Sequence, residues 1–145
     1  MTRVTILIPT YNEEQALPET LASVARFDPP ADEVLVVDGG STDATCALAR
    51  AAGVRCLDAP KKGRGAQINH GVAEATGDII CVLHADSVLP RDAVAVMRAA
   101  MADPRTALAS FMPRIAGPEG TRWGSPLGDA GARTGYISRS ARCGR

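Results

Sequence analysis

Short, fully apolar runs alternate along the chain with longer stretches that are apolar on one face only. Val4-Thr5-Ile6-Leu7-Ile8 opens the series, followed by Glu33 to Val37, Val54 to Leu57, Ile79 to Leu83 and Thr106 to Met112. Each run is too short for a helix, and Ile79 to Leu83 is unbroken, so each reads as a strand. Between them, apolar residues recur at helical spacing. The four sets are Leu17, Leu21, Val24 and Ala25; Ala44, Ala47, Leu48 and Ala51; Ile68, Gly71, Val72 and Ala75; Ala93, Val96, Met97 and Ala100. Pro18 suits the first turn of the first helix, where a missing N–H costs nothing, and Pro90 opens the fourth. Gly53 and Gly77 close the second and third. This β-α-β-α alternation predicts an α/β fold: a mainly parallel sheet covered by helices, with right-handed crossovers. A strand apolar on both faces belongs inside such a sheet.

After Met112 the pattern stops. Thr121 to Arg145 is rich in Arg and Gly, and no element is expected there. Residues 1–112 are therefore read as the folded part. Residues 113–145 are read as an irregular tail, either flexible or the mark of a truncated or frameshifted product.

Composition narrows the function classes. The chain has 145 residues, formal net charge zero, 46% apolar and 22% charged residues, close to a globular average. Zero net charge gives no reason to invoke bulk attraction to nucleic acid or membrane. One Trp, two Tyr and two Phe are too few for a single-strand stacking platform. Cys46, Cys56, Cys81 and Cys143 form no C-x-x-C pair and read as free thiols. No signal peptide is expected, since the first apolar run ends at Pro9. No stretch approaches the roughly 20 apolar residues of a membrane span. The cytoplasm is the expected compartment.

Candidate chemistry gathers after the strands. Thr10 to Glu13, Asp38 to Asp43, Lys61 to Arg64 and His84 to Ser87 each follow an apolar run. In a parallel sheet those ends share one edge, where ligands of open α/β sheets bind. Asp38 could accept hydrogen bonds from a ribose or a base; Asp43 is the better helix cap, which would leave Asp38 freer. Lys61, Lys62 and Arg64, set among glycines ahead of a helix, can pair with phosphate oxygens. Asp86 is a hard oxygen ligand suited to Mg²⁺ or Mn²⁺. His84 could assist it or hydrogen-bond elsewhere. Neither a Walker A sequence nor a G-x-G-x-x-G after the first strand is present, which argues against a P-loop protein and a dinucleotide oxidoreductase.

These segments resemble a known family. Ile8-Pro9-Thr10-Tyr11-Asn12-Glu13-Glu14, Val36-Val37-Asp38-Gly39-Gly40-Ser41-Thr42-Asp43, Gly63-Arg64-Gly65-Ala66-Gln67-Ile68-Asn69-His70-Gly71 and Leu83-His84-Ala85-Asp86 are similar, in order and spacing, to family 2 glycosyltransferases. The resemblance implies a GT-A fold, a Rossmann-like three-layer sandwich. It also implies inverting, divalent-metal-assisted transfer of a sugar from a nucleotide-diphosphate-sugar donor such as a UDP-sugar.

The resemblance further implies that Pro9, Thr10, Tyr11 and Glu13 surround the nucleoside and that Asp38, with Gly39 and Ser41, binds the base. Lys62 and Arg64 would meet the diphosphate. His84-Ala85-Asp86 stands in the place of the family's D-x-D, with Asp86 as the metal ligand. His84 departs from the usual first Asp and looks like a bacterial histidine-variant subgroup. Its acceptors would be a lipid, a carotenoid-like molecule, a saccharide or an arsenosugar precursor, and no nucleic acid is expected as a partner. Peripheral association with the inner membrane face is the alternative to a free cytoplasmic location.

No general base is identified. Glu119 and Asp129 are the only acids after Met112, and neither sits in the family's Glu-Asp motif. Gly128-Asp129-Ala130-Gly131 and Tyr136-Ile137-Ser138-Arg139 resemble a later family segment faintly and out of register. The competing expectation is a nucleotide-sugar-binding fragment or module that lacks the base.

Overall fold

The structure is a computed structural model and describes residues 1–111 and 135–139. Its elements run in the order β1 (Val4–Thr10), α1 (Leu17–Ala25), β2 (Glu33–Asp38), α2 (Thr45–Ala51), β3 (Arg55–Asp58), α3 (Arg64–Glu74), β4 (Ile79–Leu83), α4 (Ala93–Ala100), β5 (Leu108–Ser110) and β6 (Gly135–Arg139). One six-stranded sheet has the order β3-β2-β1-β4-β6-β5. The first four strands are parallel, and β6 runs antiparallel between β4 and β5. The expected mainly parallel, helix-covered α/β sheet is therefore the fold. Among the described residues, no helix is long and apolar enough to cross a membrane.

Two local expectations differ. β1 runs through Pro9 to Thr10 instead of ending at Pro9. Its pairing with β4 stops at Leu7–Val82, so Pro9 meets a partner on the β2 side alone, and a missing N–H is tolerated at such a border. A strand also stands at Gly135–Arg139, where the sequence pattern suggests none. There Tyr136 pairs with Val82 and Ile137 with Cys81. Cys143, Glu119, Asp129 and the segment 128–131 lie outside the described residues.

Alternating side chains divide the core between the two faces of the sheet. Ile6, Ile8, Val36, Ile79, Cys81 and Leu83 pack with Leu17 and Leu21 of α1, Ala49 of α2 and Met97 of α4. Leu7, Leu35, Val37, Ile80 and Val82 pack on the opposite face, against Ile68 of α3. α3 lies on that face for a topological reason. The connections β1-α1-β2 and β2-α2-β3 step one way along the sheet, whereas β3-α3-β4 steps back past β1. Right-handed crossovers in opposite directions place their helices on opposite faces. The strand order thus reverses between β1 and β4, and the crevice beyond their carboxyl ends is a topological switch point.

Gly71 lets α3 sit close to the sheet. A β-carbon there would collide with Leu7 Cδ1 and stand 2.8 Å from Val37 Cγ2. Gly71→Ala is expected to destabilise the fold by about 1–3 kcal/mol through overpacking. A urea midpoint equal to that of the unsubstituted chain would refute this seating of α3.

Candidate functional site

The loops after β1 and β2 are fastened into one ledge. Gly39 N–H donates to Thr10 O at 2.9 Å, and Asn12 N–H donates to Ser41 Oγ at 2.8 Å. Thr42 N–H returns a bond to Asn12 Oδ1 at 2.9 Å. Asn12 holds a left-handed φ of 52°, which asparagine tolerates better than most residues. Further along, Glu13 N–H donates to Thr45 Oγ1, Glu14 N–H to Asp43 Oδ2, and Ala44 N–H to Glu14 Oε2. Asp43 also accepts from Thr45 N–H at 3.0 Å, so it does cap the start of α2.

Asp38 is not left free by that cap. It is 2% exposed, and its two oxygens accept four bonds from its own chain. Oδ1 accepts from Thr10 Oγ1 at 3.0 Å and from the Ser41 hydroxyl; Oδ2 accepts from Gly40 N–H at 2.9 Å and Ser41 N–H at 2.7 Å. A carboxylate offers about four such positions. A ligand contact at Asp38 would therefore have to displace an internal bond. Burial pushes the carboxyl upward, but the bonds from Ser41, Thr10 and Gly40 outweigh it and hold Asp38 below its ordinary value of 3.8.

Gln67 of α3 is a residue whose role the sequence did not reveal. It is 5% exposed, and its Nε2 donates to Thr10 O at 2.6 Å and Val37 O at 2.9 Å. One amide thus ties the ends of β1 and β2 from below. Gly39 covers it: a β-carbon there would approach Gln67 Cδ to 3.0 Å. Thr45 was missed as well. It is fully buried, and its hydroxyl donates to Asp43 Oδ1 while accepting from Glu13 N–H. The available signal was a polar residue at a helix position that otherwise faces the core.

The third and fourth polar clusters meet the first at the switch point. Arg64 opens α3 and reaches β4's end, where its Nη2 lies 2.9 Å from His84 Nδ1. Burial, then the Arg64 charge, lowers the His84 pKa, against an opposing pull from Asp86. The neutral ring can accept a bond from Arg64. Glu13 is shifted upward, first by burial and then by Asp86 and Asp43, with Arg64 opposing. Glu13, in the loop after β1, and His84, at the end of β4, thus both feel the charges of Arg64 and Asp86. Lys62 lies over Gly40, its Cε 4.0 Å from the place of a β-carbon there. Tyr11 is 53% exposed beside the ledge.

Asp86 stands on a turn and is exposed, and its carboxylate has a long 3.4 Å contact from Ser87 Oγ. Its open oxygens are hard, anionic donors of the kind that suits Mg²⁺ or Mn²⁺.

A second group, Asp38, Cys46 and Asp58, has its ligand atoms within 4.8 Å of one another. It fits a cation poorly. The Asp38 oxygens are taken, and burial, then Cys56, pushes the Cys46 thiol up to about 12. Cys46, Cys56 and Cys81 are free, as expected. An apolar hollow of about 460 Å³ between α1 and α2, lined by Leu21, Leu48 and Val54 among others, shares no residue with the polar edge.

Comparison with known proteins gives the family and the fold. The description Glycosyl transferase family 2 matches residues 5–142. An uncharacterised glycosyltransferase of Mycobacterium tuberculosis (strain ATCC 25618 / H37Rv) is 39% identical over 83 residues, covering 57% of this chain and 36% of that protein. Glucosyl-3-phosphoglycerate synthase of Mycolicibacterium smegmatis is 31% identical over 128 residues, covering 79% of this chain and 35% of the synthase. The chain thus spans about a third of the length of these relatives. A mannosyltransferase from Pyrobaculum calidifontis, solved with GDP-Man and Mn²⁺, superposes with a TM-score of 0.73 at 32% identity, over 78% of this chain and 36% of the other.

Proposed function

The chain belongs to glycosyl transferase family 2, and from that premise we propose that it holds the donor side of an inverting glycosyl transfer. The donor is a nucleotide-diphosphate sugar, bound at the edge where β1, β2 and β4 end. The observation that carries this reading is the convergence of Glu13, Arg64, His84 and Asp86 beside the fastened ledge.

In this reading the nucleoside lies along Pro9, Thr10, Tyr11 and Glu13, with Tyr11 offering an aromatic face. Gly39 and Ser41 supply the floor, and Asp38 shapes it through the four bonds it accepts. Lys62 and Arg64 pair with diphosphate oxygens, and Arg64 exchanges its bond to His84 for the phosphate. Asp86 would hold Mg²⁺ or Mn²⁺, as suits a site that also receives a diphosphate. A bound ion there supplies positive charge against the leaving nucleotide. Ala85 lies within the turn that carries Asp86. His84 in the first D-x-D position favours the histidine-variant subgroup, and with it a lipid, carotenoid-like, saccharide or arsenosugar-type acceptor. No described residue is assigned as the base that takes the acceptor's proton.

A second reading is a nucleotide-sugar-binding module without turnover, in which no described residue serves as the base for the acceptor's proton. Calorimetric titration of the full chain with UDP- and GDP-sugars, with and without Mn²⁺, followed by a product assay, decides between them. Tighter binding in Mn²⁺ with product formation is the expected result. Binding without product supports the module. Absence of any metal-dependent binding overturns both.

A further inference from the structure

Asp86 is the i+2 residue of a tight turn whose central peptide is held from another element. Ser87 N–H donates to His84 O at 3.0 Å, which closes a four-residue turn with Ala85 and Asp86 at its centre. The carbonyl of the central peptide belongs to Ala85. It accepts a 2.7 Å bond from Thr20 Oγ1 on α1, 65 residues away in sequence. Thr20 is 1% exposed and Ala85 3% exposed, so neither group has solvent as an alternative partner.

The orientation of that peptide decides where Asp86 points. A turn can exchange type I for type II by rotating its central peptide, which reverses the i+1 carbonyl and gives residue i+2 a positive φ. Among the described residues, Asn12 is the sole non-glycine with positive φ, so Asp86 is in the type I-like arrangement. Asp is one of the few residues that also tolerates the left-handed region, so its own sterics oppose the rotation weakly. The Thr20 bond opposes it directly, because rotation would strip both buried groups of their partner. Threonine is a poor helix former, and a hydroxyl set between Leu17, Leu21 and Val24 on the core side of α1 contributes nothing to apolar packing. Its partner on the turn accounts for its presence.

We propose that Thr20 is a positioning residue for Asp86: its hydroxyl locks the Ala85–Asp86 peptide and so aims the Asp86 carboxylate at the donor edge. This rests on the donor-site reading above, but the lock itself can be measured without any ligand. Thr20→Val keeps the side-chain shape and removes the hydroxyl; Thr20→Ser keeps the hydroxyl. Amide exchange at Ser87, followed by NMR in the full chain, is expected to accelerate about tenfold in Thr20→Val and to return to the native rate in Thr20→Ser.

With UDP and GDP as probes, the gain in affinity on adding Mn²⁺ should fall about tenfold in Thr20→Val, within the range found for outer-shell partners of metal ligands. Affinity in EDTA should not change. Native Ser87 exchange in folded Thr20→Val overturns the lock. Equal losses with and without Mn²⁺, unrescued by Thr20→Ser, overturn the positioning role in favour of general damage. Should Thr20→Val fail to fold, Thr20→Ala, which relieves any crowding, is read by the same two measurements. Should the unsubstituted chain bind neither nucleotide, the donor reading fails, while Ser87 exchange still decides the lock.

Discussion

Asp86→Ala is expected to abolish the Mn²⁺-dependent part of nucleotide-diphosphate binding while leaving the fold intact. Asp86 is exposed, and among the described residues its carboxylate has one long contact, from Ser87 Oγ at 3.4 Å. Removing it therefore costs little stability, and the thermal midpoint should move by no more than about 2 °C, the effect of a few tenths of a kcal/mol in a domain of this size. The binding effect should be far larger. Outer-shell partners of metal ligands are worth about 10- to 100-fold, so loss of a direct carboxylate ligand should cost about 100-fold or more in Mn²⁺. In EDTA the variant and the unsubstituted chain should bind UDP or GDP equally. The measurement is titration with each nucleotide under both conditions. Native affinity of the variant in Mn²⁺ would remove Asp86 from the metal site.

Asp38→Asn is expected to behave in the opposite way, losing stability first and binding as a consequence. The buried carboxylate receives four donors; an amide can keep its oxygen on the Gly40 and Ser41 N–H groups, but it gives up the charge that strengthens all four bonds and must turn the Thr10 and Ser41 hydroxyls into acceptors. A hydrogen bond to a charged group contributes about 1.5–3 kcal/mol, and the four are not additive, so a net loss of about 3 kcal/mol is expected. That is a large share of a typical stability of about 5–15 kcal/mol. Urea denaturation measures it.

The acid limb of the stability curve should change too. Asp38 titrates below its ordinary value of 3.8 in the folded chain, so its contribution is complete above that value. It is lost as pH falls through the lower, folded value, because the unfolded chain then takes up the proton more readily. Asp38→Asn should show a flatter stability profile in that acid window. Its nucleotide affinity should fall equally with and without Mn²⁺, because the whole ledge loosens. A variant with native stability and a selective loss of one nucleotide would instead make Asp38 a direct base contact.

These two aspartates show which parts of the site were legible. Both follow apolar strands, and the alternation of strand and helix was enough to place them on one edge. Asp86 kept the open, exposed character that its position after Leu83 suggested. Asp38 did not, because Thr10 and the Ser41 loop close around it, and no local pattern distinguishes a carboxylate that faces a ligand from one that fills itself internally. Thr20, Thr45 and Gln67 were not recognised as parts of the site. Each is a polar residue inside a helical pattern, and for Thr20 and Gln67 the partners lie 65 and 57 residues away. β6 was also invisible. Its short Gly135–Arg139 stretch is held by backbone pairing to β4 on one side and β5 on the other, which requires no particular alternation of side chains.

Hydrophobic periodicity alone determined the number and kind of elements through residue 111, the helix-covered parallel sheet and the four polar ends that could share an edge. It could do so because burial is local in its demands: each strand and helix must show an apolar face to something. Tertiary structure alone decided the strand order, with its reversal between β1 and β4, the entry of β6 beside β4, and which polar groups are spent on one another. Those outcomes depend on hydrogen bonds and crossovers between residues far apart in the chain. Asp38 ends as the clamp of a ledge, and Asp86 stands open on a turn that Thr20 holds.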